Sequence, residues 1–220
     1  MKLLELISTT IPVLKPDDTA SDVLQLMDEY KISHLPIVSN QEYIGLVGET
    51  DIYELDDDTL PVSNCHIATP VPYIADNQHI FEALAIVTNR NISLIPVLSA
   101  QNHNYLGAIT EAQLLRGLAE ATSASYSGGI IQIVTNQTHY SPALIASVVE
   151  SNDMKIKSMF ATDIGTDMEV TIKLNGYDTS AVIQGLERHG YRIKSVYEGD
   201  GKYTDLMEER FDALMSYLNV

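Results

Sequence analysis

The stretch KISHLPIV at residues 31–38 returns sixty residues later as NISLIPVL at residues 91–98. Both copies place a proline between hydrophobic residues, three positions after a serine. Self-similarity at a fixed period is the sequence signature of a chain built from repeated units. We therefore interpret the first half of the chain as two copies of one structural unit.

The segments that flank these stretches match as well. TTIP at residues 9–12 corresponds to TPVP sixty residues later, and IGLV at residues 44–47 corresponds to LGAI at residues 106–109. The second copy carries two extra residues in the turn before its second match. The correspondence places the first repeat at residues 1–60 and the second at residues 61–121.

Each copy predicts the order helix, strand, turn, strand, helix. Thr19 is a good N-cap for the first helix, and hydrophobic residues follow it at helical spacing. In the first helices of the two copies, the spaced residues are Ala20, Val23, Met27 and Tyr30, and Ile80, Ala83, Leu84 and Val87. Neither copy has enough apolar surface to be stable alone, so we expect the two copies to pack face to face.

The repeated pattern resembles that of a known family. The serine, the proline between hydrophobic residues, the turn and the following hydrophobic-glycine strand are similar to the CBS repeat, and two tandem copies resemble a Bateman module. The resemblance covers residues 1–120. It implies a mixed α/β fold, a regulatory role, and binding of AMP, ADP, ATP, S-adenosylmethionine or NAD in clefts between repeats. It also implies dimerisation into a flat disc.

The resemblance further implies which residues hold a ligand. In the family, the second strand ends in glycine, two hydrophobic residues, serine or threonine, two further residues and aspartate. The hydroxyl and the carboxylate hold the ribose and phosphate end of the nucleotide, which suits the bonding capacity of both groups. The first copy keeps Asp51 but has Gly48 at the hydroxyl position, whereas the second keeps Thr110 but has Gln113 at the carboxylate position.

These four positions have two interpretations. In the first, each incomplete site still binds a ligand, with Gln113 as a weaker ribose contact and the Gly48 amide facing a phosphate. In the second, Asp51 and Thr110 are helix N-cap and first-turn residues. Acidic neighbours disfavour polyphosphates such as ATP unless Mg²⁺ accompanies them, so adenosine, AMP or S-adenosylmethionine is the preferred ligand candidate. The first strands add four further candidate contact residues, which are Pro36, Ile37, Pro96 and Val97.

The last third of the chain shows a different pattern. Small polar residues at 122–128 are typical of a linker, and residues 129–198 predict the order βαββαβ of a ferredoxin-like domain. Ser141, followed by a proline, predicts the start of its first helix. Asp178 is expected to cap the second helix, and Gly190 is expected to end it.

This last third resembles the ACT domain. LERHGYRI at residues 186–193 is similar to the end of an ACT domain, and SPAL at residues 141–144 is similar to its first loop. The aspartate and glycine of that loop correspond here to Tyr140 and Ala143. We therefore expect an ACT-like dimerisation unit in preference to an amino-acid site. Residues 199–220 predict a C-terminal helix that packs on the body or on a partner.

The charge and cysteine content limit the functional class. Thirteen Lys and Arg residues against thirty Asp and Glu residues give a net charge of −17, which repels nucleic acid and anionic lipid. The single cysteine, Cys65, cannot form an intrachain disulfide, and no apolar run approaches the length of a membrane span. We therefore expect a cytoplasmic protein that binds neither nucleic acid nor membrane.

The sequence contains no recognisable catalytic or metal-binding pattern. No two of the six histidines stand at metal-ligand spacing, and no nucleophile–base pair or P-loop is present. We expect no enzyme activity and no required cofactor. Two hypotheses follow: a sensor of an adenosyl ligand, or a ligand-free dimerisation scaffold or protein-interaction module. In either case we expect a homodimer that acts on another protein, and the domain order resembles that of the acetoin-utilisation accessory B proteins.

Overall fold

The computed structural model describes residues 3–67, 70–198 and 202–204. The chain divides into two compact units, the first formed by residues 1–121 and the second by residues 122–220. Among the described residues, two hydrophobic clusters form the cores of the first unit and one forms the core of the second. The first unit therefore holds both repeats.

The two repeats share one order of elements. After a 3-10 helix (Leu3–Leu6), the first repeat consists of α1 (Ala20–Tyr30), β1 (His34–Ser39), β2 (Glu42–Gly48) and α2 (Glu49–Tyr53). After a second 3-10 helix (Val62–Asn64), the second repeat consists of β3 (Ile74–Ala75), α3 (Ile80–Arg90), β4 (Leu94–Leu98), β5 (Tyr105–Thr110) and α4 (Glu111–Ala121). The predicted order of helix, strand, turn, strand and helix is confirmed in both copies.

Helix α1 begins where the sequence predicts. Thr19 is the N-cap, and its Oγ1 accepts the backbone N–H of Asp22 at 3.3 Å. The buried stripe of the helix runs from Ala20 to Met27. Tyr30, in contrast, is 42% exposed. The buried stripe therefore ends one position earlier than predicted, since Tyr30 is the last residue of the helix and its side chain reaches solvent.

In each repeat, a short segment pairs in parallel with the first strand of the hairpin, and the sequence pattern does not predict this pairing. Ile74 of β3 pairs with Val97 of β4. Leu14, sixty residues before Ile74, forms a parallel bridge with Ile37 of β1. The β1–β2 hairpin and the β3–β4–β5 group are separate sheets. The two hairpins are therefore equivalent in their pairing as well as in their sequence.

Each hairpin is covered by a segment that leads into the first helix of the other repeat. Ser8, which precedes α1, forms two backbone hydrogen bonds with Ala108 of β5, at 2.9 and 3.2 Å. Ile67, which precedes α3, lies over Gly45 of β2, where an added Cβ would be 2.6 Å from Ile67 Cγ2. Leu46 of the first repeat packs in the core of the second. The repeats thus form one unit, in agreement with the expected packing of one copy against the other.

The second unit is built on one antiparallel sheet. Its elements are β6 (Ile130–Asn136), α5 (Pro142–Glu150), β7 (Ile156–Ile164), β8 (Asp167–Leu174), α6 (Ser180–Arg188), β9 (Arg192–Glu198) and β10 (Lys202–Thr204). The strand order is β10-β9-β6-β8-β7, and residues of α5 and α6 share one core with the sheet. The predicted order βαββαβ is confirmed, with β10 added.

Two of the three predicted helix signals in the second unit are confirmed. Ser141 caps α5, where its Oγ accepts a first-turn N–H at 3.3 Å. Gly190, after α6, has a φ of +82°, a conformation that favours glycine. The predicted cap of α6 is wrong by one residue. Thr179 is the N-cap, because Asp178 uses its Oδ1 to accept the N–H of Ser180 at 3.4 Å in a local turn.

The C-terminal tail is described at residues 202–204 alone. These residues form β10, so the predicted helix is wrong at 202–204, because the backbone there pairs antiparallel with β9. The rest of the predicted helix at residues 199–220 lies outside the described residues.

Candidate functional site

Two equivalent junctions between a strand and a helix hold the four motif positions. Gly48 is the last residue of β2, and Thr110 is the last residue of β5. A helix begins at the residue after each of them. Their cross-strand partners, His34 and Leu94, are also equivalent residues of the two repeats. Each residue at one junction therefore has a direct counterpart at the other.

At the first junction, a carboxylate closes the first turn of α2. Asp51 Oδ2 accepts the backbone N–H of Gly48 at 2.7 Å. Asp51 is half-buried, and no group among the described residues bonds to its Oδ1. A carboxylate is favoured near a helix N-terminus by the unpaired N–H groups there. The junction thus holds a carboxylate with one oxygen bonded and one oxygen available.

At the second junction, an amide takes the same place. Gln113 Oε1 accepts both the backbone N–H of Thr110, at 2.8 Å, and its hydroxyl, at 3.0 Å. Thr110 Oγ1 in turn accepts the N–H of Gln113 at 3.2 Å, which makes a reciprocal capping box. In the described part of the chain, the Gln113 amide nitrogen has no acceptor. The motif residues of both repeats therefore stabilise the helix starts.

The four candidate residues of the first strands are all buried, and they are Pro36, Ile37, Pro96 and Val97. Ile37 and Val97 are 1% and 0% exposed and belong to the hydrophobic clusters of their own repeats. Their side chains pack in the cores, whereas the junction residues stand at the strand ends. The structure therefore brings Gly48 together with Asp51 and places these strand residues beneath the surface.

A histidine outside the motif lies at the first junction. His34 Nδ1 accepts the backbone N–H of Ser93, from the second repeat, at 3.2 Å, and it lies 3.2 Å from the hydroxyls of Ser33 and Ser93. Burial lowers the pKa of His34 from its ordinary value of 6.5, although the charges of Asp51 and Glu111 act to raise it. The sequence could have indicated this residue, because the second copy has a leucine at the equivalent position and a histidine there is a departure from the repeat.

A cleft of about 650 Å³ opens between the repeats. Its lining residues are Leu24, Met27, Asp28, Lys31, Ile32, Ser33, Glu49, Tyr53, Ser93 and Glu111. Ser33 and Ser93 are equivalent in the two repeats, and the N–H of Ser33 donates to Ser93 Oγ at 3.1 Å. Glu49 and Glu111 are equivalent as well, since each begins a helix. Carboxylates outnumber the one lysine, so the cleft is acidic.

Comparison with known protein families identifies the repeats. The family described as "CBS domain" matches residues 4–58 and 62–120, which are just over half of the chain. The chain belongs to the CBS domain family. CBS domain pairs are regulatory modules that often bind adenosyl ligands.

One curated relative and two solved structures resemble the CBS pair of this chain. Inosine-5'-monophosphate dehydrogenase of Methanocaldococcus jannaschii is 25% identical over 113 residues, which are 51% of this chain and 22% of that enzyme. The chain thus spans about a fifth of the length of this relative. A CBS domain pair/ACT domain protein from Thermotoga maritima has a TM-score of 0.50 at 21% identity, over 55% of this chain and 98% of that chain. A protein from Vibrio cholerae named for acetoin utilization has a TM-score of 0.49 at 20% identity, over 57% and 95% of the two chains.

The family match and the similarity to the Thermotoga maritima structure support a CBS pair fold for the first unit. Proteins built on CBS pairs are typically regulatory and non-catalytic. The match to the dehydrogenase shows that a CBS pair also occurs within an enzyme.

Side chains that could ligate a metal ion are not grouped in the described part of the chain. There, no set of three or more His, Cys, Asp and Glu residues is arranged to hold a metal ion. Cys65 is buried, and burial raises the pKa of its thiol, so the thiol is a protonated core group. No described helix has the length and apolar character that crossing a membrane requires.

Proposed function

We propose that this chain is a non-catalytic regulatory module whose CBS pair senses an adenosyl ligand of low charge. The observation that supports this proposal is the equivalence of the two junctions. Each presents a half-buried polar side chain, Asp51 or Gln113, in the first turn of a helix and beside a strand end. Each side chain has one polar atom that no described residue binds. A carboxylate oxygen or an amide N–H of this kind can bond a ribose hydroxyl.

The charge around the cleft favours ligands with few negative charges. Glu49 and Glu111 line it from the two repeats, and the whole chain carries a net charge of −17. A triphosphate would be repelled by such a surface. Adenosine, AMP and S-adenosylmethionine fit the charge better, and the last of these adds a cationic sulfonium group.

Thermal-shift measurements on the full chain with adenosine, AMP, ATP and S-adenosylmethionine test this proposal. A ligand at 100 times its Kd adds about 2.7 kcal/mol of stability. For a chain of this size, each kcal/mol raises Tm by about 2–4 °C. We expect a shift of several degrees with at least one low-charge compound and a smaller shift with ATP. Unchanged Tm values with all four compounds at millimolar concentration would contradict the proposal.

Two variants separate ligand contact from helix capping. Asp51→Asn keeps an oxygen that can accept the Gly48 N–H but replaces the carboxylate that would bind ribose. We therefore expect the Tm of the free protein to stay near the wild-type value and the ligand-induced shift to decrease. Asp51→Ala removes both contacts and should lower both quantities. Asp163→Asn, at an exposed position of the second unit, is the matched control for the lost charge.

A ligand-free scaffold is the second candidate function. It is favoured by the hydrogen bonds at the junctions, because protein side chains already satisfy the N–H groups of Gly48 and Thr110. The motif residues then need no ligand to explain their place. Under this alternative, no compound shifts the Tm of the wild type, while the oligomer persists in sedimentation experiments.

We also propose that the second unit is an ACT-like dimerisation domain, with bounds at residues 129–198 after a linker at 122–128, and that the chain is a cytoplasmic homodimer. The strand order β9-β6-β8-β7 with two helices supports this assignment. β7 ends the sheet and exposes Phe160 and Ile164 by 44% and 46%, and such an edge can pair with a second strand. Sedimentation equilibrium of the full chain should show a dimer. A monomer over the whole concentration range would contradict this proposal.

A further inference from the structure

The two hairpins carry a polar residue on opposite strands at one equivalent pair of cross-strand partners. In the second hairpin, the cross-strand partners are Leu94 and Thr110, so the hydroxyl stands on the strand that leads into a helix. In the first hairpin, the partners are His34 and Gly48, so the polar group stands on the opposite strand. Each junction thus keeps one polar side chain at this partner pair, but the two side chains come from different strands.

The ring of His34 occupies the space beside Gly48. A Cβ built on Gly48 would be 3.1 Å from His34 Nε2 and 3.2 Å from Asp51 Oδ2. A side chain at this position would therefore have to displace the imidazole or the carboxylate. The imidazole and a hydroxyl at position 48 are alternatives for the same place, and glycine at position 48 leaves room for the imidazole.

The hydrogen bond from Ser93 determines which ring nitrogen carries the proton. The backbone N–H of Ser93 donates to Nδ1 of His34 at 3.2 Å, so in the neutral ring Nε2 carries the hydrogen. Burial lowers the pKa of His34, although Asp51 on α2 and Glu111 on α4 act to raise it. The neutral form therefore dominates at pH 7, and His34 presents an N–H donor at Nε2.

This donor is available to a ligand. Among the described residues, no group accepts a hydrogen bond from Nε2 of His34. Among the described side chains, the hydroxyl of Tyr105 is the one polar atom that is fully buried and has no partner. Nε2 of His34 has no partner in the described part of the chain either, so it is not fully buried and solvent reaches it. Asp51 Oδ2 and His34 Nε2 both lie within about 3.2 Å of the position that a Cβ on Gly48 would take. A donor and a carboxylate oxygen therefore both border the space over Gly48 at the first junction.

We propose that His34 is a ligand-binding residue of the first CBS site. Its Nε2–H donates to an oxygen at the ribose–phosphate end of the adenosyl ligand, in place of the hydroxyl that Gly48 lacks. This inference rests on the proposed function, since it assigns a further contact in the same site. Because the backbone of Ser93 holds the ring, the contact also connects a ligand in the first repeat to the second repeat.

Isothermal titration of AMP and adenosine into the full chain and its variants tests the inference. His34→Asn keeps an acceptor for the Ser93 N–H and removes the Nε2 donor, so we expect about tenfold weaker binding. His34→Gln places an amide near the position of Nε2, and we expect an affinity within about threefold of the wild type. His34→Leu combined with Gly48→Thr reproduces the partner pair of the second repeat. This double variant should bind more tightly than His34→Leu alone.

The two probes distinguish the two sources of the accepting oxygen. A loss confined to AMP assigns the Nε2–H to the phosphate, whereas equal losses for AMP and adenosine assign it to the ribose. Both results support His34 as a ligand contact.

Three results would overturn the inference, and they can be told apart. If His34→Asn binds AMP as tightly as the wild type while Asp51→Asn binds it more weakly, His34 is no contact and the proposed function stands. If the wild type binds neither probe, the inference and the proposed function fail together. ¹⁵N NMR of the histidine side chains in the free wild type does not depend on how a variant folds. A neutral His34 ring with its proton on Nδ1 would overturn the inference directly.

Discussion

Tyr43 and Tyr105 stack on each other at equivalent positions of the two repeats, with ring centroids 6.4 Å apart. The hydroxyl of Tyr43 donates to the carbonyl of Pro72 at 2.9 Å. The hydroxyl of Tyr105 is buried and has no partner among the residues that the structure describes. Burial raises the pKa of both phenols, so both remain protonated. A pair that is symmetric in its packing is therefore asymmetric in its hydrogen bonding.

This asymmetry predicts opposite effects for two matched substitutions. Tyr43→Phe leaves the Pro72 carbonyl without its donor, and we expect the free energy of unfolding to fall by about 1 kcal/mol. Tyr105→Phe removes a buried hydroxyl that has no acceptor, so we expect the free energy of unfolding to stay level or to rise by up to about 1 kcal/mol. Urea unfolding of the full chain measures both. An equal loss for the two variants would contradict the prediction.

Two equivalent glycines, Gly107 and Gly45, provide a second matched pair. A Cβ at Gly107 would be 2.7 Å from the carbonyl oxygen of Ser8, and the φ of this glycine is +147°. A Cβ at Gly45 would meet the side chain of Ile67, which can adjust more easily than backbone. We expect Gly107→Ala to lower the free energy of unfolding by about 3 kcal/mol and Gly45→Ala by about 1 kcal/mol. Urea titrations that give equal losses would show that the backbone of Ser8 yields as readily as a side chain.

The sequence predicts the elements of the first unit well because each copy carries its own hydrophobic pattern and turn residues. The Thr19 cap and the two strand-to-helix junctions depend on residues that are close in the chain. The short parallel pairings and the covering segments depend on contacts between distant residues, which no local pattern contains. His34 belongs to the second group. The role proposed for it depends on the register that places it opposite Gly48 and on its hydrogen bond with Ser93 of the other repeat.

Helices α5 and α6 of the second unit approach closely at Gly185. A Cβ on Gly185 would be 2.6 Å from Cγ1 of Val148, and both residues are buried. We expect Gly185→Ala to cost about 2 kcal/mol through overpacking and Val148→Ala to cost a similar amount through lost contacts. In the double variant, the new methyl fills part of the space that the valine leaves. The combined loss should then be smaller than the sum of the single losses, and a double-mutant cycle in urea measures the difference. If the two losses of stability simply add, the predicted coupling between positions 148 and 185 is wrong.

His34 makes the stability of the first unit depend on pH. In the folded chain, burial lowers the pKa of His34 below 6.5, whereas in the unfolded chain the ring has its ordinary pKa. Between these two values the unfolded state binds more protons, so the free energy of unfolding rises with pH. Stability is therefore lost as the pH falls through 6.5 toward the folded pKa, and this contribution becomes constant at lower pH.

His34→Asn tests this dependence because it removes the titrating ring and keeps an acceptor for the Ser93 N–H. We expect the wild type to lose stability relative to His34→Asn as the pH falls through 6.5 toward the folded pKa, with a constant difference at higher pH. His103→Asn, in an exposed turn, is the matched control for the loss of a histidine. Urea titrations at each pH give the free energies of unfolding. A relative gain of the wild type on acidification would mean that Asp51 and Glu111 outweigh burial and keep the ring charged.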